Sequence, residues 1–140
     1  MKNLKPILLV EDDKVDVLKV ERALRDKNIL NPVVHPDDGE QAIKYLNEAA
    51  SKKPCMVLLD LNMPQFDGFE FLRKIKSDST LRKIPVVVLT GSDDDVDVKK
   101  SFELGAAGYL VKPDSYEQFV EMVEIVNRYW TLNKMPNGIQ

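Results

Sequence analysis

Cysteine is almost missing. Cys55 is the only one in 140 residues, which excludes an intramolecular disulfide and fits a reducing compartment. Histidine is as scarce: His35 stands alone before Pro36 and reads as an ordinary strand-end residue rather than a phosphotransfer or metal ligand. Long hydrophobic runs are absent. The N-terminus, MKNLKPILLVEDD, has only four consecutive apolar residues before its acids, so it is neither a signal peptide nor a membrane span. A basic excess is also missing. Twenty Lys and Arg stand against 23 Asp and Glu, a net charge of -3, which argues against a nucleic-acid binder. There is no repeat, no low-complexity segment and no Gly/Ser linker. Neither GxxxxGKS/T nor GxGxxG occurs, so a P-loop or dinucleotide site has no support. The expectation is one soluble, cytoplasmic domain with no membrane or nucleic-acid partner.

What is present is an alternation. Ile7-Leu8-Leu9-Val10, Met56-Val57-Leu58-Leu59 and Val86-Val87-Val88-Leu89 are short continuous apolar runs, and Val33-Val34 and Leu110-Val111 are shorter ones. Unbroken runs indicate strands covered on both faces, as in a parallel sheet. Helical spacing links them: Val17, Val20 and Leu24; Ala42, Tyr45, Leu46 and Ala49; Gly68, Phe71, Leu72 and Ile75; and Tyr116, Phe119, Val120, Val123, Val126 and Trp130. Ser115 to Gln118, SYEQ, is a capping box. The order reads βα five times, which predicts a doubly wound α/β domain of the flavodoxin-like type.

In such sheets function gathers at the carboxyl ends of the strands. The first strand runs into Glu11-Asp12-Asp13, the third ends at Asp60, the fourth at Thr90 before Gly91-Ser92, and the fifth at Lys112-Pro113. Acids, a hydroxyl and a lysine are therefore expected at one sheet edge. Asp60 closes a buried run, and Pro64, which cannot extend a strand ladder, follows four residues later. Gly68 is expected to give freedom where the chain turns toward the next helix. Single-residue readings remain open beside this one. Asp12-Asp13 also suits a helix N-cap. Asp93-Asp94-Asp95 suits the first turn of the fourth helix, with Ser92 as its N-cap, better than a second metal site. Cys55 suits a small core-edge residue better than a nucleophile.

LLVEDD at 8–13, LLDLNMPQFDG at 58–68, VVLTGS at 87–92 and GYLVKP at 108–113 together resemble the receiver domain of two-component response regulators. The resemblance covers residues from about Ile7 to Trp130. It implies a (βα)5 three-layer sandwich with a five-stranded parallel sheet in order 2-1-3-4-5. The receiver is expected over residues 1–130, with a short tail at 131–140 and no effector domain. It also implies phosphoryl transfer from the phosphohistidine of a histidine kinase to Asp60. Mg²⁺ would be bound directly by Asp13 and Asp60, through water by Asp12, and by the backbone carbonyl of Asn62. Lys112 would neutralise phosphoryl charge, the Thr90 hydroxyl would bond a phosphoryl oxygen, and Thr90 with Tyr109 would form the switch. The Lys112-Pro113 bond is expected to be cis.

The chemistry is coherent. A carboxylate can carry a phosphoryl group as a mixed anhydride, clustered carboxylates need a cation between them, and Mg²⁺ prefers oxygen ligands. The result is a phosphorylation-controlled binding switch rather than an enzyme acting on a substrate. The competing reading is an aspartyl-phosphate hydrolase of the haloacid dehalogenase type. That family wants an acid two residues after the nucleophile, where this chain has Asn62. RYWTLNKMP is similar to the end of small receivers that partner bacterial phytochrome kinases, which suggests such a kinase as donor. The downstream protein is not identified. Met122, Ile125 and Tyr129 form a second apolar stripe on the last helix, predicting a homodimer through the fourth helix, fifth strand and fifth helix.

Overall fold

The computed structural model describes residues 4–48 and 52–133. Five strands and five helices alternate: β1 Ile7–Val10, α1 Lys14–Asp26, β2 Val33–Val34, α2 Gly39–Asn47, β3 Met56–Leu59, α3 Gly68–Ser77, β4 Val86–Thr90, α4 Asp95–Glu103, β5 Gly108–Val111 and α5 Tyr116–Leu132, with a 3-10 turn at Leu81–Lys83. The strands are all parallel, in order β2-β1-β3-β4-β5. This is the doubly wound order expected from the motifs.

The pleat explains the three layers. Successive strand residues point to opposite faces. Leu8, Val10, Val57, Leu59, Val86 and Val88 meet α2 and α3 through Ala42, Leu46, Phe71, Leu72 and Ile75. Ile7, Leu9, Met56, Leu58, Val87 and Leu89 meet α1 and α5 through Val17, Val20, Leu24 and Phe119. The three central strands are buried along their whole length, whereas β5 at the edge is only half-buried and ends exposed at Val111.

Local signals set the element ends. Ser115 caps α5 by accepting from the Gln118 N–H at 3.0 Å. Gly105, with φ +100°, reverses the chain after α4 in the left-handed region that glycine tolerates best. Gly39 permits a close approach, since a Cβ there would lie 1.8 Å from the Phe66 ring.

Several expectations need correction. α5 runs through Leu132, so the boundary after Trp130 cuts its last turn; most of the expected tail lies outside the described residues, as does Ala49. Gly68 opens α3 without any unusual backbone, and its need is space: a Cβ would stand 3.0 Å from Leu61 Cδ2. Among the described residues no peptide bond is cis, Lys112-Pro113 included. α4 is capped by Asp94, not Ser92; the Ser92 hydroxyl instead donates to Asp97 Oδ2 at 2.7 Å. Met122 does not belong with the exposed stripe. It packs toward the sheet and lines the apolar space beneath α5 with Val20 and Leu24. Ile125 and Tyr129 remain open at 62% and 61%.

Candidate functional site

Four of the five parallel strands each deliver one residue to the same edge as they leave the sheet. Glu11 follows β1, Asp60 follows β3, Thr90 ends β4 and Lys112 follows β5. Ladder bonds lock the exits: the Asp60 N–H donates to Val10 O at 3.0 Å, and the Lys112 N–H to Thr90 O at 2.8 Å. Asp60, Glu11 and Thr90 are all buried, so three polar groups sit at the end of an apolar layer.

The acids divide their work differently from the sequence expectation. Glu11, Asp12 and Asp60 bring one carboxylate oxygen each to within 4.8 Å of one another. Asp13 is outside that group. Its Oδ1 accepts from the N–H groups of Val15 at 2.8 Å and Asp16 at 3.3 Å, capping α1. An N-cap carboxylate is committed to the orphan amides of its own helix. The missed residue is Glu11. Counting back from Val17, the first buried position of α1, would have assigned Asp13 to the cap and moved the acidic pair one residue earlier.

Lys112 Nζ stands 2.6 Å from Glu11 Oε1, 2.7 Å from Asp16 Oδ2 and 3.3 Å from Asp60 Oδ2. Burial would lower its pKa, but the Asp16 and Glu11 carboxylates hold it above the ordinary lysine value. The Glu11 carboxyl is pushed up to about 8, first by burial and then by its hydrogen bond with Asp60, against the pull of Lys112. Burial acts the same way on Asp60, yet hydrogen bonds from Glu11 and the Asn62 N–H, with Lys112 nearby, keep it below the usual carboxylate range. Of the two, Glu11 is thus the harder to ionise, chiefly because it is buried, and Asp60 the easier, because hydrogen bonds and Lys112 offset its burial.

The remaining expected residues surround this centre. The Asn62 N–H donates to Asp60 Oδ1 at 3.0 Å. Thr90 Oγ1 is buried without a partner in full hydrogen-bond geometry, yet it stands close enough to Asp60 to help hold that carboxyl low; an under-satisfied buried hydroxyl calls for an explanation. Tyr109 OH donates to the Ser92 carbonyl at 2.8 Å, tying β5 to the β4–α4 loop. His35 is nearer the site than its strand-end reading suggested: its Nε2 lies 2.7 Å from the Glu11 carbonyl and so donates to it. Cys55 is half-buried, and burial pushes its thiol up, which is the opposite of a nucleophile's need. No other group of three or more potential metal ligands occurs among the described residues, and the acids at Asp93-Asp94-Asp95 serve the start of α4.

A family model described as the response regulator receiver domain matches residues 7–124. The response regulator Rcp1 of Synechocystis is 38% identical over 130 residues, covering 90% of this chain and 88% of its own length. The probable methanogenesis regulatory protein FilR2 of Methanothrix harundinacea is 39% identical over 127 residues, covering 89% and 82%. Among solved structures, the phosphorylated cyanobacterial phytochrome response regulator RcpA matches with a TM-score of 0.87 at 37% identity, over 96% of this chain and 99% of that one. The Mn²⁺-bound form of Rcp1 matches with a TM-score of 0.84 at 37% identity, over 94% and 99%.

Proposed function

The chain belongs to the response regulator receiver domain family, and on that premise we propose that Asp60 takes a phosphoryl group from the phosphohistidine of a histidine kinase while Glu11, Asp12 and Asp60 hold a divalent cation. It is a phosphoacceptor switch of the two-component type; the hydrolase alternative is not favoured. The observation that carries the assignment is the strand-end meeting of a charged, buried Asp60 with two further acids and Lys112.

The residues present fit a cation. Their donors are all carboxylate oxygens, which suit Mg²⁺, and a cation beside Glu11 would offset the burial and the Asp60 hydrogen bond that push its carboxyl up. A bound Mg²⁺ would supply positive charge to the transferring phosphoryl oxygens. The protein's own groups do the rest. An Asp60 carboxylate oxygen attacks phosphorus, the new O–P bond forms as the P–N bond breaks, and its electron pair returns to the kinase imidazole. The Asn62 N–H orients Asp60 through Oδ1. Lys112 neutralises charge on the transferred group. The Thr90 hydroxyl, under-satisfied and beside Asp60 in the unphosphorylated chain, donates to a phosphoryl oxygen.

That new bond is the start of the switch. Drawing Thr90 toward the phosphoryl group changes the space beside Tyr109, whose hydroxyl bridges to Ser92, and shifts a pre-existing equilibrium of the α4–β5–α5 face. Val96, Phe102, Ile125 and Tyr129 expose apolar surface on α4 and α5. They supply a contact area for a second copy or for a downstream protein. RcpA is by title a phytochrome response regulator, which favours a phytochrome-type kinase as the donor. No helix among the described residues is long and apolar enough to cross a membrane, in keeping with a cytoplasmic partner of such a kinase.

The test is phosphorylation by acetyl phosphate with Mg²⁺. The wild type is expected to accumulate a single acid-labile phosphoryl group per chain and Asp60→Asn none. Uptake by Asp60→Asn at the wild-type rate would overturn the assignment. Multiple turnover of phosphomonoesters would instead restore the hydrolase reading. Profiling transfer from histidine kinases then identifies the donor.

A further inference from the structure

Lys112 has one partner more than the phosphoacceptor reading uses. Its ammonium carries three N–H donors, and Glu11, Asp16 and Asp60 offer three acceptors at 2.6, 2.7 and 3.3 Å. Glu11 and Asp60 belong to the carboxylate group that fits a cation; Asp16 does not. Asp16 sits in the first turn of α1 and reaches a lysine 96 residues away in sequence. Its place is fixed from behind, because its own N–H donates to the capping Asp13 Oδ1 at 3.3 Å. Its side chain is 23% exposed, against 3% for Glu11 and 6% for Asp60. It therefore stands at the rim while the other two form the floor.

We propose that Asp16 is a positioning residue, the seat that keeps Lys112 beside Asp60 when Glu11 and Asp60 turn to a divalent cation. The inference rests on the phosphoacceptor reading and deepens it. An ammonium and a divalent cation compete for the same oxygens and repel each other. The described side-chain hydrogen bonds of Lys112 are with Glu11, Asp60 and Asp16 only. With Asp16 present, the lysine gives up its bonds to the floor and stays within reach of an incoming phosphoryl oxygen. With Asp16 neutral, the two floor carboxylates are all it has, and the cation must displace it from them.

A simpler effect must be separated from this one. Removing any negative charge near the site weakens cation binding through space, whatever Lys112 does. A double-mutant cycle separates the two. Mg²⁺ affinity is measured by titration calorimetry on the full chain in the wild type, Asp16→Asn, Lys112→Ala and the double variant. Asp16→Asn is expected to weaken Mg²⁺ about tenfold when Lys112 is present, in the range seen for outer-shell partners of metal ligands, and to have little effect in the Lys112→Ala background. Equal weakening in both backgrounds makes Asp16 a distant charge and overturns the proposal, as does an unchanged affinity in Asp16→Asn. A second measurement needs no variant. In a structure of the wild type with Mg²⁺, Lys112 Nζ should remain bonded to Asp16 and leave Glu11; departure from Asp16 overturns the proposal. Normal phosphorylation of Asp60 beside either adverse result would refute the role of Asp16 alone. A wild type that binds no Mg²⁺ would refute the metal reading and this inference together.

Discussion

Glu11→Gln should make the metal-free protein more stable, although Glu11 is buried and paired. The reason is its ionisation. The carboxyl titrates near 8 in the fold, against 4.5 for an unperturbed glutamate. At pH 7 the unfolded chain gains the full free energy of ionising this residue while the folded chain keeps it mostly protonated. That difference favours unfolding by about 3 kcal/mol, at about 1.4 kcal/mol for each pH unit. Glutamine mimics the protonated form and removes the penalty. Its amide keeps an Oε1 that can accept from Lys112, now as a neutral rather than a charged acceptor, so the net gain should be about 1–3 kcal/mol. The sign over pH follows. With the folded pKa raised, the folded state binds more protons than the unfolded one between about pH 4.5 and 8, so wild-type stability falls across that window. The advantage of the variant should be near zero at pH 4, grow through the window and level off above pH 8. Urea unfolding in EDTA at several pH values reads it directly, as a midpoint shift of roughly 1 M at pH 7. Millimolar Mg²⁺ should shrink or reverse the advantage, because the wild type gains the ion's binding energy and the variant loses a ligand. A variant less stable than the wild type at pH 8 in EDTA would refute the reasoning.

The division of labour between neighbouring acids is equally testable. Asp13→Asn keeps a good cap and should leave Mg²⁺ affinity within about twofold, whereas Asp12→Asn should reduce it by about tenfold or more; calorimetry decides, and the reverse order would return Asp13 to the metal. Thr90→Val replaces a buried, under-satisfied hydroxyl beside Asp60 with a methyl group. It should change unphosphorylated stability by no more than about 1 kcal/mol in urea, yet abolish phosphorylation-dependent partner binding. Joint replacement of the exposed Ile125 and Tyr129 by Glu and Lys should give a folded monomer that still accepts phosphoryl at Asp60; a wild type that sediments as a monomer in both phosphorylation states would assign that stripe to another protein.

Some features of this protein are local and were legible in the chain itself. A strand covered on both faces must be apolar throughout, so β1, β3 and β4 announce themselves, and a helix lying on a sheet must repeat its apolar residues, so α1, α3 and α5 do as well. Asp60, Thr90 and Lys112 stand where such runs stop, and parallel topology then brings all three to one edge. Other features depend on where separate segments meet. Three consecutive acids, Glu11, Asp12 and Asp13, look interchangeable until the first turn of α1 takes Asp13 for its amides and the backbone turns Glu11 inward beside Lys112. Met122 looked exposed by helical angle alone, but the way α5 lies beside α1 gives it cover. Asp16 reads as an ordinary first-turn acid, and only the packing of α1 beside the end of β5 makes it a partner of Lys112. Burial and periodicity are set by near neighbours in sequence, whereas the pairing of charges is set by distance in space, which the fold alone determines.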